Sequence, residues 1–418
     1  MKKGHLFALL FIFAAIQNLQ SQNPGCDGAR YIDDVFADVT KTTVQYATAV
    51  NQANSQVTLM MDVYEPAGDT LSARPVVILA HGGSFIFGDK SDMKRWCERL
   101  ARKGYVAASI QYRLYPLFVL GTPDSVDIFG TAVRAVGDMK CAARYFREDA
   151  ATVNQFRADA VSIFVGGYSA GAVTALHAGF LDSTDVLPAF IQNILDANGG
   201  FNGNTGTASN QTYSSDIKGV INLSGGLYRS NWVDAGGVPL ASIHGDNDGT
   251  VPYYSGQAAN IAYLEGSALI HQAADAAGLI NSLVTVPGGD HTDTYDPTKP
   301  QFVPFVDSFW MNASVMMESL VCATVSANTP AGPDPEAWAV YPNPAAGGAF
   351  AVRLPASVQR ADVLMTDLSG KAVFQLSGVQ DRQIIRAATL PEGIYTVSLR
   401  NPEQPQHRFG VQKLVLLR

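Results

Sequence analysis

Cysteine is scarce in this chain. Only four occur in 418 residues (Cys26, Cys97, Cys141, Cys322), and none forms a CxxC pair, so cysteine spacing argues against a zinc site and disulfides are the expectation. Charge is sparse as well, at 16% of residues, and 29 Lys and Arg against 37 Asp and Glu leave a net charge of -8. That balance lacks the basic footprint of a nucleic-acid binder. Long apolar runs are missing too. Leu6 to Ile16 falls well short of the roughly 20 residues a spanning helix needs, and no later stretch reaches that length, so the mature chain is expected to be water-soluble without a transmembrane segment.

What is present fits an exported globular protein. Lys2 and Lys3, the apolar run and Leu19-Gln20-Ser21 have the layout of a secretory signal over residues 1–21, with the mature chain beginning near Gln22. Hydrophobic residues at 47%, with 38 Gly and 21 Pro, exclude a disordered, collagen-like or coiled-coil chain, and the length suggests two to three domains.

Continuous apolar runs at 74–80, 160–165, 219–223, 239–244 and 281–286, with strand-like runs at 57–64 and 105–112, read as strands. Helical spacing falls at 92–103, 132–146, 170–181, 254–277 and 302–320. Strand and helix alternating in this way predict an α/β domain over 22–323, a mostly parallel sheet with helices on both faces. Between Asp182 and Asp216 the alternation lapses into an apolar patch followed by Gly, Asn, Ser and Thr, an insertion of the length usual for a lid or binding loop. A Pro-rich linker is expected at 324–337. Beyond it, 338–418 shows short alternating runs between turns and carries nine Lys or Arg against five Asp or Glu, which predicts a separate, basic, all-β sandwich.

The chemistry-bearing residues cluster in three places. Gly167-Tyr168-Ser169-Ala170-Gly171 lies between a strand and a helix, the context of a GxSxG nucleophile elbow. A serine needs a base, and the chain has seven histidines. His5 leaves with the signal, His407 lies in the basic unit, and His177 sits two turns along the nucleophile's own helix. His271 falls inside a predicted amphipathic helix, where it would be solvated or packed, and His81 and His244 end strands. His291, in the loop Gly288-Gly289-Asp290-His291 after the last strand, is the base by elimination. The orienting acid should lie between serine and histidine, where Asp246 and Asp248 compete. His81-Gly82-Gly83-Ser84, after a strand, is placed to supply backbone N–H groups to an oxyanion, with Ala170 adding another.

These motifs resemble the α/β-hydrolase superfamily, specifically carboxylesterase and lipase-like enzymes with an HGGG-type oxyanion motif, GxSxG, HGxxDxxVP and a late GxxH. The resemblance covers residues from about 30 to 322. It implies Ser169 as nucleophile, Asp248 as acid, His291 as base, and Gly83, Ser84 and Ala170 as oxyanion donors, with no metal or cofactor. Ser84 replaces the motif's third glycine but keeps its N–H. The resemblance also implies that Cys97 pairs with Cys322, and that the 182–216 loop helps form the pocket, lined by Phe85, Phe87, Tyr112 and Tyr168. Tyr341-Pro342-Asn343-Pro344, Asp367 to Lys371, Gly393-Ile394-Tyr395 and Lys413 to Leu416 resemble the type IX secretion sorting domain of Bacteroidota. That implies the secretion machinery as a partner of 338–418, and a secreted or surface-attached product exported through the periplasm.

The reading is a serine carboxylesterase acting on acetyl, feruloyl or other short-acyl esters of environmental polymers, with lipids and synthetic polyesters also within its chemistry. A prolyl-oligopeptidase-type peptidase is a rival, although only about 35 residues precede the first strand, too few for the usual propeller. A non-catalytic surface-binding protein is another, weakened by retention of all three catalytic roles.

Overall fold

The computed structural model describes residues 25–322 and, with short interruptions, 338–417. The expected signal segment and linker, Pro342, Pro344, Asp367 to Lys371, His5 and His407 lie outside the described residues.

The first unit contains strands β1 (Val39–Val50), β2 (Gln56–Pro66), β3 (Arg74–Ala80), β4 (Val106–Ile110), β5 (Ala158–Tyr168), β6 (Gly219–Leu223), β7 (Gly226–Leu227), β8 (Leu240–Gly245), β9 (Ser255–Ala258), β10 (Ala262–Gly266) and β11 (Asn281–Val286). Its helices are α1 (Lys94–Arg102), α2 (Leu117–Leu120), α3 (Ser125–Ala151), α4 (Ala170–Phe180), α5 (Ala189–Ala197), α6 (Ser267–Ala277) and α7 (Val303–Val321). Eight strands form one sheet in the order β1-β2-β4-β3-β5-β6-β8-β11, parallel from β4 through β11, with β2 antiparallel to both neighbours. β3, β4, β6 and β8 are buried along their whole length, as continuous apolar runs require when helices cover both faces.

Two stretches depart from the sequence expectation. β1 was not anticipated: its Thr-rich sequence alternates weakly because it is a half-exposed edge strand with a bulge between Gln45 and Ala47. Residues 254–266, expected as helix, form the β9–β10 hairpin, which turns through Ala259 and Asn260 at φ of 48° and 57°. Helix begins only at Ser267. Of the alanines in the stretch, Ala258 and Ala262 pair with each other in a small sheet, β7-β10-β9, and those from Ala268 onward are helical as expected.

The C-terminal unit has β12 (Ala339–Tyr341), β13 (Ala345–Ala346), β14 (Ala349–Arg353), β15 (Arg360–Thr366), β16 (Ala372–Gln380), β17 (Ile384–Arg386), β18 (Gly393–Arg400) and β19 (Arg408–Leu417). They form two sheets, β12-β14-β17 and β13-β19-β18-β15-β16, around a core that includes Trp338, Phe350, Val363, Val397 and Leu414. Among the described residues no helix is long and apolar enough to cross a membrane.

The expected Cys97–Cys322 pairing is corrected. Cys322 is bonded to Cys26, with Cα atoms 5.6 Å apart, and Cys97 and Cys141 are buried free thiols. The reason is directional. α7 meets α1 through its middle, where Trp310 stacks on Trp96 at 5.0 Å, and Cys97 is enclosed in that core. Cys322 caps the end of α7, beyond the core contact. There it meets the N-terminal segment, which Tyr31, Val35 and Phe36 tie by backbone bonds to the end of α1. Peptide mapping without reduction is expected to recover Cys26 linked to Cys322, and the denatured, unreduced protein to titrate as two thiols. Because the bridge closes almost the whole domain, Cys322→Ser should cost about 2–4 kcal/mol of stability. A Cys97–Cys322 peptide would contradict this.

Candidate active site

Ser169 sits between β5 and α4 with φ 52° and ψ -122°, a conformation that costs a non-glycine residue about 1–3 kcal/mol. Its own N–H donates to Leu223 O at 2.9 Å, which anchors the turn to the end of β6. Glycine is needed on both sides of it. A Cβ at Gly167 or Gly171 would overlap the Ala80 carbonyl oxygen, so only bare backbone lets the elbow close onto the end of β3. That closure brings the loop from His81 to Phe87 beside Ser169. The amide N–H groups of Gly83, Ser84 and Ala170 have no acceptor within the described protein.

His291 opens a one-turn 3-10 helix, His291–Thr294, capped by Asp290 and Asp293. Its Nε2 lies 2.9 Å from Ser169 Oγ and its Nδ1 2.7 Å from Asp248 Oδ2. Asp248 Oδ1 accepts from the Thr250 and Val251 amides at 2.8 and 2.9 Å. Burial alone would raise the Asp248 carboxyl, but hydrogen bonds from His244 and His291 outweigh it and hold the group well below the usual carboxylate range. The ionised acid only accepts, so His291 Nδ1 carries the proton and Nε2 is free to accept from Ser169. Asp246, the competing acid, is exposed and accepts from Gly288 N at 2.6 Å, clipping the loop after β8 to the loop after β11.

His244, expected to be structural, has a more specific place. Its Nε2 lies 3.1 Å from both Asp248 Oδ2 and Val251 O, two acceptors, so Nε2 carries the proton. Its Nδ1 then accepts from Ser267 Oγ at 2.8 Å, and Ser267 Oγ accepts from Asn222 at 3.0 Å. Asp248 is thus gripped by two imidazoles and two backbone amides. A histidine four residues before the acid was the available sequence signal. His81 binds its own loop through Gly82 O, and His271 is buried against Asn281 rather than solvated.

An apolar channel starts at Ser169 and runs between α3 and α4. Its roof includes Ile191 and Leu195 of α5 and Phe201, all from the 182–216 insertion. This insertion is fixed rather than loose. Arg144 donates to Asn210 Oδ1, Asn202 O and Thr205 O, Arg147 to Ser214 O and Asp216 O, and the buried Arg113–Asp138 pair to and from Thr205. His177 lines the channel as a neutral ring: burial pulls it down to about 4, Nδ1 binds Val173 O, and Nε2 accepts from Tyr228 N.

Of the four expected lining aromatics, only Phe85 faces the channel. Phe87 is 57% exposed, outside it. Tyr112 is buried under the His81–Phe87 loop, stacked on His81 with its hydroxyl donating to His81 O at 2.8 Å. Tyr168 points to the opposite side of the elbow, onto Tyr295. The alternation of β5 explains this: the residue before Ser169 must face the other way.

Residues 61–228 match the BD-FAE family, and residues 339–415 match the secretion system C-terminal sorting domain. The chain has the α/β-hydrolase fold, resembles the BD-FAE family over 61–228 and resembles the sorting domain over 339–415. The chain is 30% identical over 149 residues to Esterase-5B of Drosophila persimilis, covering 34% of this chain and 26% of the relative. Esterase-5C of Drosophila pseudoobscura pseudoobscura is 31% identical over 117 residues, 28% of this chain and 20% of the relative. The chain thus spans about a quarter of the length of these curated relatives. Among solved structures, Thermogutta terrifontis esterase 2 phosphorylated by paraoxon is 20% identical with a TM-score of 0.46, covering 66% of this chain and 95% of that one.

The donor and acceptor assignments are directly testable. Nitrogen-15 NMR of the histidines is expected to show His244 protonated on Nε2 and His291 and His177 on Nδ1 at neutral pH. The His291 N–H should resonate strongly downfield and lose that shift in Asp248→Ala. The opposite tautomer at His291 would contradict the geometry.

Proposed function

We propose that the hydrolase domain is a secreted serine carboxylesterase. The observation that carries this is the unbroken line Asp248–His291–Ser169, at 2.7 and 2.9 Å, beside three amides without acceptors. His291 Nε2 takes the Ser169 proton as Oγ attacks the ester carbonyl. The oxygen that becomes negative lies against the Gly83, Ser84 and Ala170 N–H groups, where one donor is worth about 3–4 kcal/mol in enzymes of this type. His291 then protonates the leaving alcohol, and the acyl group remains on Ser169. A water deprotonated by the same nitrogen releases it. Asp248 stays ionised throughout and stabilises the imidazolium.

The esterases among the relatives favour an ester substrate, and the apolar channel favours an acyl group as its occupant. The sorting domain indicates export by type IX secretion, which directs the activity to esters outside the cell. The division that accompanies this reading is a signal over 1–21, a catalytic domain over 22–323, a linker over 324–337 and a sorting domain over 338–418.

The test is hydrolysis of 4-nitrophenyl esters from acetyl to long-chain by the mature protein. Ser169→Ala is expected to lower kcat by at least about 10⁴-fold with its melting temperature retained, and Asp248→Asn to lower it by about 10³- to 10⁴-fold. Asp246→Asn, which keeps an oxygen for Gly288, should cost less than about threefold. Equal losses in the two Asp variants would overturn the acid assignment, and turnover surviving in Ser169→Ala would overturn the mechanism.

A further inference from the structure

We propose that Lys140 reads the far end of the acyl group, and that the channel takes an acyl chain terminated by a carboxylate. This rests on the esterase reading above. α3 and α4 both run from the catalytic edge of the sheet to its opposite edge, since each leaves the end of one parallel strand and returns to the start of the next. On α3 the channel wall follows one face, Ile128, Ala132, Val136 and Lys140, and on α4 it follows Val173 and His177 onward from Ser169. Ile128 and Lys140 are about 18 Å apart along the helix axis, and a lysine leans back towards the N-terminus by roughly one turn. The ammonium is therefore displaced by about 12 Å along α3 from Ile128.

Every other described wall residue is apolar or neutral, so Lys140 is the one charged side chain facing this space. It is 6% exposed. Its Nζ donates to the Phe201 carbonyl at 2.6 Å, and among the described residues no carboxylate lies within 4.0 Å of it. The neighbouring Arg144 and Arg147 differ: each of their nitrogens binds an oxygen, mostly a carbonyl of the insertion. Lys140 makes one bond and has two N–H groups to offer. Burial, with Arg144 adding repulsion, pulls the ammonium down to about 8, so it is still charged at neutral pH. Asp216 and Asp182 act on it only from a distance. An ammonium in an apolar enclosure without a counter-ion is costly, and a carboxylate entering along the channel would supply one. Charge-assisted N–H to carboxylate bonds are the strong kind, so the contact would select as well as bind.

The experiment compares, on the mature protein, the 4-nitrophenyl monoester of suberic acid with 4-nitrophenyl octanoate, which has the same chain length and a methyl end. The readout is the ratio of their kcat/KM values within each protein, so any change in the shared chemical step cancels. Wild type should favour the carboxylate-ended ester, and Lys140→Met should lower the ratio by about tenfold or more, while Lys140→Arg keeps part of it. The same ratio in wild type and Lys140→Met overturns the proposal. If Lys140→Met does not fold, wild type decides alone: a preference for octanoate overturns the proposal, and a preference for suberate supports it. A wild type inert towards both esters and towards 4-nitrophenyl acetate would instead overturn the esterase reading itself.

Discussion

The site depends on one contact of backbone with backbone, the closure of the Gly167–Gly171 elbow onto the end of β3. With no Cβ at either glycine, the turn after β5 packs against the Ala80 carbonyl, and β3 pairs in register as far as Ala80 with Gly167. Three consequences follow. Ser169 is driven to positive φ and projects above the sheet edge, the loop after β3 is brought to the same point, and α4 starts with its first N–H groups facing that point. A helix N-terminus and a loop with acceptorless amides then face one small volume, which suits a negative oxygen. Tyr112 holds the loop from below through His81 O.

A second constraint orients the proposed base. β8 and β11 are adjacent and parallel, so the loops after them rise side by side, and Asp246 to Gly288 and Gly249 to Asp290 clip them together. Asp248 and His291 meet because of that pairing. The His244 imidazole, anchored through Ser267 to Asn222, fixes the carboxylate from the far side. The acid therefore cannot rotate without breaking four hydrogen bonds.

Much of this was legible in the residues, for physical reasons. β3, β6 and β11 have the expected limits because a strand buried on both faces is a continuous apolar run, and such runs stand out. Ser169, Asp248 and His291 lie in loops marked by glycine. What stayed hidden depended on partners distant in sequence. β1 looks like a loop until β2 is beside it. The 254–266 segment has the composition of a helix, but tertiary pairing with β7 overrides it. The Cys26–Cys322 bridge joins the two ends of the first unit, whose proximity no local pattern records, and Tyr112 and Tyr168 could not be told from pocket aromatics without knowing which way each faces.

The central claim, a nucleophilic Ser169 activated by His291, is tested most directly by reacting the mature protein with a fluorophosphonate and locating the adduct by peptide mass spectrometry. One phosphonyl group per chain is expected, on the peptide carrying Ser169, and none after heat denaturation or in Ser169→Ala. Labelling at another residue, or equal labelling of folded and unfolded protein, would contradict the account.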